Sequence, residues 1–336
     1  MSGSGHPFPR PGSNSVYGGA MDRYLTIEAV RLTEAAALYA SRYMGKGDEE
    51  ISYLSATDAM YKVLSAMDIQ GEVVIGADSK ESLLCDGVMV GNKNGPELDL
   101  AVKPLDGKMT CARGGHNAVS AAAVGSKGTF LGIPSLHMEK IAVGKEAKNM
   151  VDINQPVNIN IKRVARAKGK YIEDITVCVL DRKTNEQLVR DIRKTGAKIK
   201  FIQDGDITGA ISTAFPESSI DLLMGVGGSK EAVIAAAALN SMDGDIQARF
   251  LYANAREKAM VSDLGIDDPD KIFTISDLVM GEDAIVSLTG VTDGVLLPGV
   301  QYIPGGAKTS SVLFRQKTRT LRYITAIHQF DYKPMF

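Results

Sequence analysis

The chain has 336 residues, a formal net charge of −2 and 44% hydrophobic residues. This length exceeds the usual size of one compact core and predicts two packed lobes, while the near-neutral charge gives no electrostatic basis for nucleic acid or an anionic membrane as a partner. Three cysteines are too few for a disulfide framework or a thiolate metal site, and no window reaches the roughly 18 apolar residues of a membrane span, so a cytoplasmic protein is expected.

The sequence of the N-terminal half predicts a disordered leader followed by an α+β lobe. Residues 1–20 are rich in Gly, Ser and Pro and are expected to form a disordered leader. Apolar residues recur at three- and four-residue spacing over 24–44, which predicts a helix that ends at Gly45, and a second helix is predicted over 55–67. Strands of one sheet are predicted over 72–75, 98–102, 119–124 and 129–131. We place this first lobe at residues 21–158.

The second half alternates helices and strands, which is typical of βαβ units and an α/β lobe at residues 159–299. Helices are predicted over 161–168, 185–195, 205–213 and 229–240. Strands are predicted over 175–180, 198–202, 222–224 and 284–289. Two further strands, antiparallel to each other, are predicted over 311–314 and 321–327.

A buried strand that runs into a turn over residues 98–108, LDLAVKPLDGK, indicates where a site lies. Strands of this kind deliver the residues after them to the carboxyl edge of a sheet, where α/β proteins bind ligands. The last six letters resemble the signature D-P-[IL]-[DE]-G-T of the magnesium-dependent, lithium-sensitive sugar and inositol phosphatases. Lysine stands at its first and last positions, as Lys103 and Lys108.

The wider sequence resembles the class II fructose-1,6-bisphosphatases over residues 21–331. The segments that carry the resemblance are 25–37, 44–48, 71–76, 204–211, 225–231 and 287–294. The resemblance implies a layered αβαβα sugar-phosphatase sandwich of two lobes, in which residues 300–331 return to complete the first lobe. It also implies metal-dependent hydrolysis of a sugar bisphosphate in carbohydrate metabolism and gluconeogenesis, and assembly into dimers or tetramers.

The family's metal ligands are carboxylates from five places, and the resemblance maps these to Tyr53, Ala77, Lys103, Asp106 and Glu231. Only Asp106 and Glu231 keep a carboxylate. The loop beyond Ala77 is about two residues shorter than in the family, so Asp78 or Glu81 could compensate. Lys108 replaces a threonine that helps to activate the attacking water. We expect no cofactor, or Mg²⁺ or Mn²⁺ on Asp106 and Glu231 if a residual metal site survives.

The sequence is consistent with two arrangements of the Lys103 side chain. Its ammonium could occupy the vacated metal position and pair with Asp106 and Glu231, which would satisfy carboxylates that are costly to leave unpaired. Alternatively, Lys103 and Lys108 point to solvent. Neither arrangement provides an activated water.

Features that cradle a phosphate are better preserved. The glycine-rich turn at 225–229 precedes a helix and exposes backbone N–H groups to an anion. The Asp-Gly-Asp sequence at 204–206 resembles a sugar-binding turn, although one aspartate could instead cap the next helix. By resemblance, the substrate-binding residues are Asp106, Gly107, Lys108, His137, Arg182, Lys183, Thr184, Asp204, Gly205, Asp206 and Gly228.

Two functions are therefore predicted. The first is a pseudoenzyme that has lost metal catalysis and binds a sugar phosphate or bisphosphate, another protein, or copies of itself. The second is an active fructose-1,6- or sedoheptulose-1,7-bisphosphatase that hydrolyses the 1-phosphate with a reduced metal site.

Overall fold

The computed structural model describes residues 16–77 and 79–332, with side chains from residue 24 onward. The helices are α1 Val16–Ser41, α2 Glu49–Ala66, α3 Lys108–Arg113, α4 Val157–Lys168, α5 Glu186–Thr195, α6 Asp206–Ser212, α7 Ser229–Ser241, α8 Ala255–Ser262 and α9 Ile275–Leu278. The strands are β1 Gln70–Ile75, β2 Met89–Val90, β3 Glu97–Asp106, β4 Val119–Ser126, β5 His137–Val143, β6 Thr176–Leu180, β7 Lys198–Ile202, β8 Leu222–Gly228, β9 Asp245–Leu251, β10 Ile285–Gly290, β11 Gln301–Ile303, β12 Gly306–Arg315 and β13 Thr320–Gln329.

The described strands form two sheets. The larger has the order β11-β12-β10-β4-β3-β1-β2, with β13 paired to β12. Strands β1 and β3 are parallel, whereas β12 pairs antiparallel with both β10 and β13. The C-terminal strands therefore return to the first sheet, as predicted. The smaller sheet has the order β7-β6-β8-β5-β9, and its parallel β6–β7 and β6–β8 pairs confirm the βαβ pattern.

Helices cover the sheets in alternating layers. Leu32 of α1 and Leu64 of α2 belong to the apolar cluster on one face of the larger sheet. Helix α7 lies between the sheets, where its alanines share a cluster with Ala123 of β4 and Met138 of β5. Ile192 of α5 belongs to the cluster on the outer face of the smaller sheet. This order of layers is the predicted αβαβα sandwich.

Several predicted boundaries are wrong. Helix α2 begins at Glu49 rather than at residue 55, because the side chain of Asp48 accepts a hydrogen bond from the Ile51 N–H at 2.9 Å and caps the helix there. Residues 129–131 are not a strand of the first sheet. The Thr129 N–H donates to the Ser126 carbonyl at 3.0 Å and closes a turn instead.

The predicted leader and lobes have a mixed outcome. Helix α1 starts at Val16, inside the leader predicted at 1–20, and residues 1–15 lie outside the described part of the chain. Strand β5 belongs to the smaller sheet and β10 to the larger one. The division into lobes at 21–158, 159–299 and 300–331 stays a prediction. Among the described helices, none is both long and apolar enough to cross a membrane.

Candidate active site

The turn after β3 places the degenerate signature beside α7. The pairing of β3 with β4 shifts register between Lys103 and Asp106. Gly107 has a φ of +91°, and a Cβ there would lie 3.1 Å from the Cα of Ala118, so a side chain would be strained at this position. The short helix α3 begins directly afterward. This turn brings Lys103 and Asp106 to the first turn of α7.

The ammonium of Lys103 contacts the carboxylate of Glu231. Burial by itself would raise the pKa of Glu231, but the ammonium groups of Lys103 and Lys140 outweigh it and lower the pKa to about 2. Burial lowers the pKa of Lys103, and the carboxylates of Glu231 and Asp106 more than reverse this, so the net shift is upward. Both groups are therefore charged at neutral pH.

Lys108 behaves differently from Lys103. Its side chain is exposed, and its Nζ lies 5.0 Å from the centre of the Tyr53 ring, a distance typical of a cation–π contact. Of the two positions left open by the sequence, Lys103 takes the paired one and Lys108 the exposed one. Neither side chain supplies a hydroxyl to activate water.

Asp106 is buried, and its Oδ2 has no hydrogen-bond partner among the described residues. Burial raises its pKa to about 7 against the lowering effect of Lys103, and the carboxylates of Glu231, Asp204 and Asp206 add to the rise. Near neutral pH a fraction of Asp106 is therefore protonated and able to donate a hydrogen bond. We call Lys103, Asp106 and Glu231 the signature end of the site.

Next to the signature end is a cleft of about 370 Å³. The turns at residues 182–184 and 204–206 form what we call the loop end. The predicted residues that line the cleft are Asp106, His137, Arg182, Lys183, Thr184, Asp204, Gly205, Asp206, Gly228 and Glu231. The structure thus brings residues from five separated segments to one space. Their roles in binding stay predictions.

Two ion pairs hold the turn at residues 204–206. Arg182 donates from Nη2 to Asp204 at 3.0 Å. The buried Lys140 contacts the Asp206 carboxylate and donates to the Gly228 carbonyl at 2.8 Å. The residue before α6 is Gly205, and no aspartate side chain caps that helix, so the capping alternative is wrong.

Neither Lys140 nor the strand β5 that carries it is among the features predicted from the sequence. Lys140 stands in a largely apolar stretch of the sequence. Met138 lies two positions before it, and the apolar residues 141–143 follow it directly. A lysine within a buried strand needs a carboxylate or carbonyl partner, which was the available signal. The contact itself joins residues 66 positions apart, and sequence spacing does not reveal it.

The remaining predicted metal positions lie outside the cleft lining. Tyr53 is on α2. Gly107 and Lys108, which the resemblance predicts to bind substrate, are the N-cap and the first residue of α3, and they do not line the cleft either. Ala77 donates its backbone N–H to the Leu84 carbonyl at 2.8 Å and forms an isolated β-bridge with Cys85. Glu81 is exposed, and Asp78 lies outside the described residues.

A second buried lysine fixes the loop that follows β1. Lys230 donates from Nζ to Asp86 at 2.7 Å and to the Gly76 carbonyl at 3.1 Å. Asp86 in turn accepts the Gly76 N–H at 2.7 Å. Adjacent residues of α7, Lys230 and Glu231, thus hold the two segments that contain Ala77 and Lys103, to which the resemblance maps metal ligands. Neither Lys230 nor Asp86 is among the site residues predicted from the sequence.

The metal cluster implied by the resemblance does not fit these side chains. Within residues 16–77 and 79–332, no three His, Cys, Asp or Glu side chains are grouped so that they could hold a metal ion. The Lys103 ammonium contacts a carboxylate that a metal cluster would require, and it repels other cations. A residual site for Mg²⁺ or Mn²⁺ on Asp106 and Glu231, with or without Glu81, stays a prediction.

The chain is similar along most of its length to known sugar bisphosphatases. Residues 23–328 match the family described as bacterial fructose-1,6-bisphosphatase, glpX-encoded. The fructose-1,6-bisphosphatase class 2 of Haemophilus influenzae is 36% identical over 326 residues, which cover 93% of this chain and 98% of that protein.

Two further relatives are named D-fructose 1,6-bisphosphatase class 2/sedoheptulose 1,7-bisphosphatase. The protein of Trichodesmium erythraeum is 32% identical over 92% of this chain and 97% of its own length. The protein of Synechococcus sp. is 34% identical over 93% of this chain and 97% of its own length. These similarities confirm the resemblance identified from the sequence.

Proposed function

We propose, because this chain belongs to the class II fructose-1,6-bisphosphatase family, that it binds a sugar phosphate in the cleft without hydrolysing it. The observation that carries the proposal is the contact between the Lys103 ammonium and the Glu231 carboxylate. Members of the family are metal-dependent enzymes. A fixed ammonium at the signature end supplies positive charge but no coordination site for water.

The loss of rate follows from what the reaction needs. Hydrolysis of a phosphate monoester by metal ions depends on several carboxylates that hold the cations, neutralise the phosphoryl oxygens and activate a water. Here the corresponding positions include Tyr53, Ala77 and Lys103. Removing groups that act only in the transition state typically costs orders of magnitude in rate. We therefore expect no measurable turnover from this site.

The loop end retains groups suited to a sugar phosphate. Arg182 and the neighbouring Lys183 and Thr184 line the cleft and offer donors to a phosphate. Gly228 lies at the N-terminus of α7, where backbone N–H groups favour an anion. The carboxylate of Asp204 can accept hydrogen bonds from sugar hydroxyls. The relatives' names indicate fructose or sedoheptulose phosphates as the compounds to test.

The test measures phosphate release from fructose 1,6-bisphosphate with saturating Mn²⁺, beside fructose 6-phosphate binding by calorimetry in EDTA. We expect binding without release. The Lys103→Asp/Lys108→Thr variant restores two signature residues and locates the loss if it gains activity. Lys127→Asp, on an exposed lysine outside the cleft, is the control, and thermal unfolding shows whether each variant folds. Release of phosphate by the parent protein would overturn the proposal.

One observation favours a second candidate, an active bisphosphatase that hydrolyses the 1-phosphate with a reduced site. Asp106 keeps its carboxyl group, and its Oδ2 is without a partner in the described structure. Turnover by the parent that Asp106→Asn abolishes would establish this candidate. A regulatory or assembly role, with self-association as a dimer or tetramer, is the biological setting we propose for a chain that binds without turnover.

A further inference from the structure

We infer that a second cavity, on the other side of the turn at residues 204–206, binds a small organic anion that carries an apolar or aromatic body. The cavity has a volume of about 490 Å³ and lies between α3, β7 and the loop at 293–295. Its lining comprises Met109, Thr110, Arg113, Gly115, His116, Asn117, residues 200–203, Asp293, Gly294 and Val295. None of these residues lines the cleft described above.

The charges around the cavity favour an anion. Arg113 and Lys200 are both exposed at its wall, and neither has an ion-pair partner among the described residues. The carboxylate of Asp293 opposes them, but it accepts the Gly299 N–H at 2.9 Å. His116 lies with Nδ1 at 3.2 Å from the Asp293 carbonyl. Two cations thus face one carboxylate that is already hydrogen-bonded, and a guanidinium suits a phosphate or carboxylate group.

The remaining wall is apolar and predicts the rest of the ligand. Phe201 lies on β7, the edge strand of the smaller sheet, and is 39% exposed. Met109, Ile202 and Val295 also line the cavity. Aromatic rings that stay exposed at a concave surface are suited to stacking against a planar group. An inorganic anion would leave this surface unused.

The two spaces share a wall, so a test must separate them. Gln203 lines the second cavity, and its neighbour Asp204 lines the cleft. The backbone of Asn117 touches the same turn, since a Cβ on Gly205 would lie 2.9 Å from the Asn117 carbonyl oxygen. A ligand in the second cavity would therefore lie against Gln203 and Asn117, next to the loop end.

The experiment uses phenyl phosphate and phenylacetate as anionic probes, with inorganic phosphate and neutral benzyl alcohol for comparison, in calorimetry on the full chain. We expect the two anionic probes to bind, and the Arg113→Gln/Lys200→Gln variant to bind them at least tenfold more weakly. The matched control, Arg256→Gln/Lys258→Gln on exposed positions of α8, removes the same charge and should change affinity less than twofold.

Three results would overturn the inference. The first is that no probe binds, and the second is that the Arg113→Gln/Lys200→Gln and control variants bind equally well. The third is competition, in which fructose 6-phosphate displaces phenyl phosphate and places it in the cleft. Phe201→Ala should weaken the binding of the two aromatic probes and leave the affinity for inorganic phosphate unchanged. Fructose 6-phosphate binding by the Arg113→Gln/Lys200→Gln variant reports separately on the proposed function.

Discussion

The signature end and the loop end of the cleft each contain a lysine paired with a carboxylate, yet the two pairs differ in burial. At the signature end the side chains of Lys103 and Glu231 are 31% and 14% exposed. At the loop end those of Lys140 and Asp206 are 2% and 9% exposed. Lys140 also donates to the Gly228 carbonyl, whereas Lys103 has the buried Asp106 beside it.

This difference separates a structural pair from a pair at a ligand-binding surface. Lys140 joins β5, the turn before α6 and the glycine turn before α7, so it supports the shape of the loop end. Lys103 joins β3 to α7 at a position to which the resemblance maps a metal ligand, and water still reaches it. We expect changes at Lys140 to act on folding and changes at the signature end to act on charge and ligand choice.

The largest effect is expected for Lys140→Met, which leaves the buried Asp206 without its cation. Removing one partner of a buried ion pair typically costs about 3–5 kcal/mol in the free energy of unfolding. Urea unfolding followed by circular dichroism measures this loss. The exposed pair of Lys198 and Asp174 provides the matched control, and Lys198→Met should cost less than about 1 kcal/mol.

A double variant sharpens this result. Lys140→Met/Asp206→Leu removes both charges and should recover much of the lost free energy of unfolding, because no buried charge is left alone. Equal losses for Lys140→Met and Lys198→Met would contradict the assignment of Lys140 as the structural support of the loop end.

At the signature end the expected effect depends on pH and involves Asp106. Its pKa is raised from 3.8 to about 7 in the folded protein, so the folded state holds the proton more tightly than the unfolded state. The resulting contribution to stability is fully present below about pH 4 and is lost as the pH rises through 7. Asp106→Asn should therefore gain stability relative to the parent between pH 4.5 and pH 8.

Unfolding in urea at the two pH values measures this change as a difference between parent and variant. Asp267→Asn, on an exposed aspartate, is the control and should keep the parent's pH dependence. The contribution of Glu231 to stability changes with pH in the opposite direction. Its pKa is lowered to about 2, so this contribution is lost only as the pH falls from about 4.5 toward 2. A parallel pH dependence in parent and Asp106→Asn would show that folding does not raise the pKa of Asp106.

Most of the fold follows from periodicity and the resemblance, and the failures have local causes. The helix that contains Ile192 and the strands on either side of it show clear apolar patterns, and they were placed correctly. Strand β5 was missed because Glu139 and Lys140 interrupt its apolar pattern and its partners β8 and β9 lie far along the chain. Strand β9 was also missed, although its alternating burial is visible in the sequence as a period of two.

The site was harder to predict than the fold because its contacts join distant positions. Lys103 and Glu231 are 128 residues apart, and only the resemblance suggested that they meet. Lys230 and Asp86 are 144 residues apart, and no one motif contains both. Pairwise charge contacts of this kind depend on how the layers stack, and a single sequence carries no periodic signal for them.

The smallest expected effect is on the relative affinity for two sugar phosphates, and measuring it compares the two ends of the cleft directly. At the signature end the carboxyl groups of Asp106 and Glu231 face one ammonium that is already paired, so a second phosphate group gains no net positive charge there. Without metal ions, fructose 6-phosphate should bind about tenfold more tightly than fructose 1,6-bisphosphate, which corresponds to about 1.4 kcal/mol. Calorimetry in EDTA gives both dissociation constants. Glu231→Gln frees the Lys103 ammonium and should bring the two dissociation constants closer together. Glu217→Gln, on an exposed position, should leave their ratio unchanged. Tighter binding of the bisphosphate by the parent would mean that Lys103 leaves Glu231 to hold a phosphate, and both ends would then be binding surfaces.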